Sequence, residues 1–175
     1  MAQTVAVNAM APFILCSQLL QLMKSANIEN NNDNDEIDDD RCNNNNRNNR
    51  NIIYSHIVNV TALEGKFNVG KKSGGHPHTN MSKAALNMLT LTAARDYARE
   101  GILMNSVDTG WVTDMSPTGI GATASTHETF VGPPLDDEDG SSRVVDPIFS
   151  HVNNHVSGSK LQFGNFYKDY YKASW

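Results

Sequence analysis

The chain has 175 residues, enough for one domain with a hydrophobic core. Its net charge is -5 and its 14 basic residues form no stripe, which gives no support to nucleic-acid binding. The two cysteines have neither metal-ligand spacing nor a disulfide framework. No run reaches the roughly 18 apolar residues of a membrane span, and the N-terminus has no charged leader. We therefore predict a cytoplasmic protein with no metal, nucleic-acid or membrane partner.

The first third of the chain combines two apolar segments with a polar one. Residues 5–26 have a wide apolar face and predict a helix, in which Pro12 belongs to the first turn or else kinks it. Residues 29–51 are dominated by Asn and Asp and bury too little apolar surface to fold, so we predict a disordered insertion. It is either a tolerated expansion or an interaction segment. Residues 51–62 are β-branched and apolar, which is typical of a strand buried on both faces.

The rest of the chain continues the alternation of helices and strands. Such an alternation indicates an α/β fold with a parallel sheet and right-handed crossovers. Small residues in the helix predicted over 79–100 suggest close packing, and Gly101 ends that helix. The predicted elements are a helix over 79–100, a buried strand that runs into a Gly turn over 102–112, a loop over 113–135, a helix with an acidic start over 136–150, and a strand around Gln162 to Phe166.

Four motifs occur in the order of one known family. They are "VNAMAPFIL" at 7–15, "IVNVTALEG" at 57–65, "SKAALNMLT" at 82–90 and "NSVDTGWVTDM" at 105–115. Together they resemble the C-terminal half of the short-chain dehydrogenase/reductase (SDR) family. The resemblance implies a partial Rossmann-like doubly wound parallel sheet, with residues 1–175 forming a single truncated domain. It also implies descent from NAD(P)-dependent oxidoreductases.

The resemblance assigns roles to particular residues, and three positions depart from the family pattern: Thr79, Ala62 and Thr109, the last of which replaces the proline of the turn that contains Gly110. Lys83 and Asn8 match the family's ribose-binding lysine and proton-relay asparagine. Thr79 stands at the position of the acid/base tyrosine, and Ala62 stands at that of the serine that polarises the carbonyl. An aliphatic hydroxyl does not ionise near pH 7, and a methyl group donates no hydrogen bond. The cofactor-binding positions implied are Lys83, Thr109, Gly110 and Val112.

These departures leave three functions open. The first is a catalytically degenerate SDR-like protein that binds NAD(P) weakly or not at all, because the family's Gly-rich turn is absent. The second is an active NAD(P)-dependent oxidoreductase when an N-terminal half is supplied. The third is a non-enzymatic interaction module or homo-oligomer that pairs through helices 8–26 and 79–100.

Several of these residues also have structural interpretations. Asn8 and Thr79 could each be a helix N-cap. His76 and His78 favour a role in positioning their loop over metal binding. Asp136 to Asp139 indicate a helix start that complements the dipole.

Overall fold

The computed structural model describes residues 2–28, 54–70, 72, 76–112, 133–156 and 160–175. The predicted insertion at 29–51 and most of the predicted loop at 113–135 lie outside these residues. The elements are α1 (Ala2–Val5), a π-helical turn (Ala6–Met10), α2 (Ala11–Ile28), β1 (Ser55–Thr61), a 3-10 turn (Leu63–Gly65), α3 (Pro77–Arg99), β2 (Ile102–Asp108), α4 (Asp137–Val156), β3 (Phe166–Lys168) and β4 (Tyr171–Ala173).

The strands form one sheet in the order β1-β2-β3-β4. The pairs β1–β2 and β2–β3 are parallel, as predicted. The predicted last strand lies too early, because Gly164 has a φ of 66° and the strand begins only at Phe166. The antiparallel strand β4 was not predicted. The turn between β3 and β4 consists of Asp169 and Tyr170, which have positive φ values of 49° and 68°. Asn-Gly is the sequence that usually indicates such a hairpin turn, and it is absent here.

Strand β2 forms the centre of the core, because all seven of its residues are buried. Its apolar run and Phe166 of β3 lie among the most buried side chains. Helix α3 covers one face of the sheet, where Ala94 packs with Met104 of β2 and Cys16 of α2. Helix α4 lies against β1 on the other face, where the rings of His151 and His56 are 5.1 Å apart. The sheet therefore has helices on both faces, as the parallel pairing requires.

The N-terminal helix runs without interruption from α1 through the π-helical turn into α2. Proline has no N–H, and its ring conflicts with the carbonyl four residues earlier, which here belongs to Asn8. The wider π-helical turn directly precedes Pro12 and accommodates this conflict. Pro12 therefore lies inside a continuous helix and does not mark its first turn.

The same helix corrects the prediction about membrane spans. By length and mean hydropathy, Ala2–Lys24 is long and apolar enough to cross a membrane. Core helices of soluble proteins and N-terminal signal sequences share this length and composition with membrane spans, so these properties do not distinguish the three kinds of helix. Within the described residues, this is the one helix with that composition.

The starts of α3 and α4 follow from local chemistry. Helix α3 begins at Pro77, a residue type suited to the first helical position. At the start of α4, the amide of Asp139 donates to the Asp136 carboxylate at 2.8 Å. The amide of Asp136 donates back to the Asp139 carboxylate at 3.3 Å. This reciprocal cap confirms the predicted acidic helix start.

Candidate functional site

The carboxyl ends of β1 and β2 lie side by side, with Thr61 in register with Asp108. The buried Asp108 carboxylate accepts the amide of Leu63 at 2.9 Å and the amide of Gly110 at 2.8 Å. One side chain therefore joins the loop that contains Ala62 to the glycine turn after β2. The sequence analysis did not single out Asp108, although a carboxylate that directly follows a buried strand is a usable signal.

The turn after β2 contains the three predicted cofactor-binding residues other than Lys83. Gly110 has a φ of 77°, and a Cβ at this position would lie 2.6 Å from Leu135. The positive φ strains any residue with a side chain at this position, whereas the flexible end of the Leu135 side chain could move aside. Val112 lies against Gly140 of α4, where an added Cβ would be 2.9 Å from its side chain. Thr109 is half-buried, and its hydroxyl donates to the Gly110 carbonyl at a long distance of 3.4 Å.

Thr79 lies in the first turn of α3 and is not its N-cap. The cap position is His76, without a side-chain capping bond, because the helix starts at Pro77. The main-chain oxygen of Thr79 accepts the hydroxyl of Ser82 at 2.8 Å. The Thr79 side chain itself is half-buried. The interpretation of Thr79 as an N-cap is therefore wrong, and its position as the fourth residue before Lys83 remains.

Lys83 extends from α3 to the end of β1. Its Nζ donates to the main-chain oxygen of Val60 at 2.8 Å. Burial lowers the pKa of Lys83 from its ordinary value, because desolvation disfavours the ammonium form. The contact between α3 and the loop after β1 is also tight, since a Cβ on Gly65 would lie 2.8 Å from the Lys83 carbonyl carbon.

Asn8 lies within the π-helical turn, so the interpretation of Asn8 as an N-cap is wrong as well. Asn8 and Lys83 both line a cavity of about 500 Å³ between the N-terminal helix and β1. The structure thus brings these two predicted residues together. The lining does not include Ala62, Thr79 or the turn after β2. The predicted site is therefore divided between this cavity and the strand ends joined by Asp108.

A buried polar layer lies beneath the strand ends, and the sequence analysis missed it. Thr90 of α3 accepts hydrogen bonds from the Asn59 amide and the Ser106 hydroxyl, both at 2.8 Å. Thr61 donates to the Asn87 side-chain oxygen at 2.6 Å. These bonds fix α3 against β1 and β2. Polar residues inside apolar strands were the available signal.

The C-terminal segment packs against the loop after β1, where it contacts Lys66, a residue that the sequence analysis did not single out. Its Nζ lies 4.4 Å from the centre of the Phe166 ring and donates to the main-chain oxygen of Ser174. Burial lowers the pKa of Lys66, while the nearby Asp108 carboxylate opposes that shift. The Asn68 amide donates to the Trp175 main-chain oxygen at 2.8 Å. This segment therefore packs on the same end of the sheet as the predicted site.

The two histidines before α3 lie near each other, with the rings of His76 and His78 6.3 Å apart. Within the residues that the structure describes, no group of three or more His, Cys, Asp or Glu side chains could hold a metal ion. The Trp111 side chain beside the glycine turn is exposed.

Comparisons with known proteins support the fold. The chain is similar to the NADPH-bound carbonyl reductase from chicken fatty liver, with a TM-score of 0.55 and 22% identity over 100% of this chain and 57% of that one. It is also similar to the carbonyl reductase Sniffer of D. melanogaster, with a TM-score of 0.59 and 21% identity over 96% of this chain and 54% of that one. The predicted α/β, Rossmann-like fold is thus confirmed, and the fold is SDR-like.

The sequence comparisons are less specific. No family model matches the chain. An uncharacterized protein of Acanthamoeba polyphaga mimivirus is 34% identical over 101 residues, which cover 54% of this chain and 21% of that protein. The chain therefore spans about a fifth of this relative and little more than half of either reductase.

Proposed function

We propose that the protein is a degenerate relative of the NAD(P)-dependent short-chain dehydrogenases/reductases that does not transfer a hydride to carbonyl substrates. The observation that carries the proposal is the pair Ala62 and Thr79. By the resemblance, these positions should hold the group that polarises the carbonyl and the group that supplies the proton. Alanine cannot donate a hydrogen bond, and threonine cannot act as an acid near neutral pH.

The residues present fit a dinucleotide only in part. Lys83 and the Gly110 turn correspond to the side of the site that would contact the ribose and nicotinamide. Lys83 is bonded to the Val60 carbonyl, so a ribose hydroxyl would have to displace that contact. The sequence has no counterpart of the family's Gly-x-x-x-Gly-x-Gly turn, and its one glycine-lysine loop, "GKKSGGHP" at 70–77, follows the wrong strand to bind the pyrophosphate. We therefore expect weak dinucleotide binding and derive no reaction step through the cofactor.

The proposal is tested by following NADPH oxidation with a panel of aldehydes and ketones. NADPH is the first choice because the chicken reductase of similar fold was crystallised with it. We expect no turnover by the wild-type chain, and the same result for Lys83→Met. Robust oxidation that is lost in Lys83→Met would overturn the proposal. An Ala62→Ser/Thr79→Tyr variant, with Ala62→Ser alone as its control, measures whether restoring both groups restores activity.

A second candidate is an active oxidoreductase of the same family, favoured by the cavity that Asn8 and Lys83 share. In this case an additional polypeptide would complete the dinucleotide site. Titration of NADPH into a form extended at its N-terminus distinguishes the two candidates. Tight binding there, with turnover, supports the active oxidoreductase, and absence of binding removes it.

A third candidate is self-association through the two apolar helices. On α2, the exposed fractions of Phe13, Ile14 and Leu22 are 59%, 51% and 68%. On α3, Met88 and Leu91 are exposed by 55% and 46%. Large exposed apolar side chains of this kind are characteristic of interfaces. Sedimentation of a dimer that Met88→Lys converts to a monomer would support this candidate, and a stable wild-type monomer would remove it.

A further inference from the structure

Two imidazole rings lie in contact between β1 and α4, on the face of the sheet away from α3. The ring centres of His56 and His151 are 5.1 Å apart, and the ring planes are inclined by 58°. The ring of Tyr54, the residue before β1, meets the His151 ring edge-on with the centres 5.2 Å apart. All three side chains are half-buried. This cluster of rings therefore packs α4 against the start of β1.

The surroundings of His56 favour its neutral form. Its Nδ1 atom is buried and has no hydrogen-bond partner among the described residues. In the neutral ring Nδ1 can be the nitrogen without a proton, whereas in the charged ring both nitrogens are donors. Protonation would thus create a buried donor without an acceptor, beside a second imidazole. Burial accordingly lowers the pKa of His56 from its ordinary value of 6.5.

Neighbouring charges do not offset this burial. Desolvation is the only cause of the lowered pKa of His56, and the β2 residue in register with it is the apolar Leu103. The titratable side chains on the elements packed around the pair are Cys16 and Lys24 of α2, the latter in an ion pair with Glu100, Asp108 at the far end of β2, Tyr54 before β1, and Arg143, Asp146 and the acidic first turn of α4. A charge on His56 would therefore be poorly stabilised in the packed state.

Pro147 divides α4 into two halves, and the first half is firmly held. Proline has no amide hydrogen, so the carbonyl of Arg143, four residues earlier, loses its helical hydrogen bond. The Nε of Arg143 lies 3.6 Å from the Asp169 carboxylate, and its guanidinium lies 5.2 Å from the centre of the Tyr170 ring. These contacts attach the half before Pro147 to the β3–β4 hairpin.

The half after Pro147 has fewer contacts. Its apolar residues Phe149 and Val152 are exposed by 61% and 54%. Within residues 148–153, the side chains that are not exposed are those of Ile148, Ser150 and His151. His151 follows the buried Pro147 by four residues, so both lie on the side of the helix that faces the sheet. The ring contact with His56 is therefore a main attachment of this half, and segments with few buried contacts open most easily.

We propose that the contact between His56 and His151 is a pH-sensitive switch, which holds the second half of α4 against β1 at neutral pH and releases it in acid. Below about pH 6.5 a solvated imidazole takes up a proton, whereas in the packed state the charge would be buried 5.1 Å from a second imidazole. The released form therefore binds more protons. The packed form is stable above pH 6.5 and loses stability as the pH falls below it. This switch is independent of dinucleotide binding and goes beyond the proposed function.

Hydrogen exchange of the full chain, followed by mass spectrometry and corrected for the intrinsic pH dependence of amide exchange, tests the switch. We expect the protection of residues 148–153 to fall about tenfold between about pH 7.5 and 5.5, the change for one proton that binds only to the released form. Residues 137–146 of the same helix are the internal control and should keep their protection. Equal loss of protection in both halves would indicate unfolding of the whole chain and would overturn the proposal.

The double variant His56→Phe/His151→Phe keeps two aromatic rings but removes both protonation sites. We expect it to reduce the fall in protection of residues 148–153 to less than about twofold. His76→Phe/His78→Phe is the matched control, because it removes another pair of neighbouring histidines, whose rings are 6.3 Å apart. The control should keep the tenfold fall. The proposal is wrong if the two double variants behave alike, or if protection of residues 148–153 in the wild-type chain does not depend on pH, a result that requires no variant to fold.

Discussion

Replacing Asp108 by asparagine tests whether one carboxylate holds the two loops of the candidate site together. The carboxylate accepts the amides of Leu63 and Gly110 at 2.9 and 2.8 Å. Asparagine keeps one acceptor oxygen and directs its NH₂ group at the other amide, so one bond is lost. A hydrogen bond to a charged group contributes about 1.5–3 kcal/mol, and Asp108 is buried. We therefore expect the free energy of unfolding to fall by about 2 kcal/mol.

Urea denaturation followed by circular dichroism measures this change. Asp96→Asn is the matched control, because its side chain is 76% exposed and pairs with Arg99 only one turn away. We expect the control to change the free energy of unfolding by less than about 0.5 kcal/mol. Hydrogen exchange at the amides of Leu63 and Gly110 should speed up in the Asp108 variant alone. Equal stability of the two variants, with unchanged exchange at both amides, would refute the role assigned to Asp108.

Three further substitutions test the packing around the site. Gly65→Ala places a Cβ 2.8 Å from main-chain atoms of α3 and should lower the free energy of unfolding by about 1–3 kcal/mol. The control Gly70→Ala, whose added Cβ meets no atom within 4 Å, should leave the free energy of unfolding unchanged. Equal urea midpoints of the two variants would contradict this prediction. Thr90→Val removes the oxygen that accepts hydrogen bonds from the two buried donors Asn59 and Ser106, and it should lower the free energy of unfolding by about 2–4 kcal/mol. Thr92→Val, at an exposed position of the same helix, is the control and should change the free energy of unfolding little. Burial lowers the pKa of His56 from 6.5, so the unfolded chain binds more protons in acid. Stability should therefore fall below about pH 6.5, and His56→Gln should reduce that slope in urea titrations at two pH values; an unchanged slope would exclude His56 as the group responsible.

Local patterns in the sequence determined most of the secondary structure. The largely apolar run at the start of 102–112 predicted the buried strand β2, because a strand covered on both faces is mostly apolar. The acidic cluster at Asp136 to Asp139 predicted the start of α4, since carboxylates satisfy free amides at a helix N-terminus. The alternation of helices and strands predicted the parallel sheet, and the four motifs predicted the SDR-like fold that the structural neighbours confirm.

Tertiary structure alone decided which of these residues meet. The motifs named Asn8 and Lys83, but only the packing of the N-terminal helix beside β1 places both in one cavity. Nothing in the local sequence shows that Asp108 bonds an amide 45 residues earlier. The strand that pairs with β1 is also a property of the assembled sheet, because a strand's own residues specify only its faces and its length. Which neighbours its backbone groups find, and which remain free, depends on contacts between distant parts of the chain.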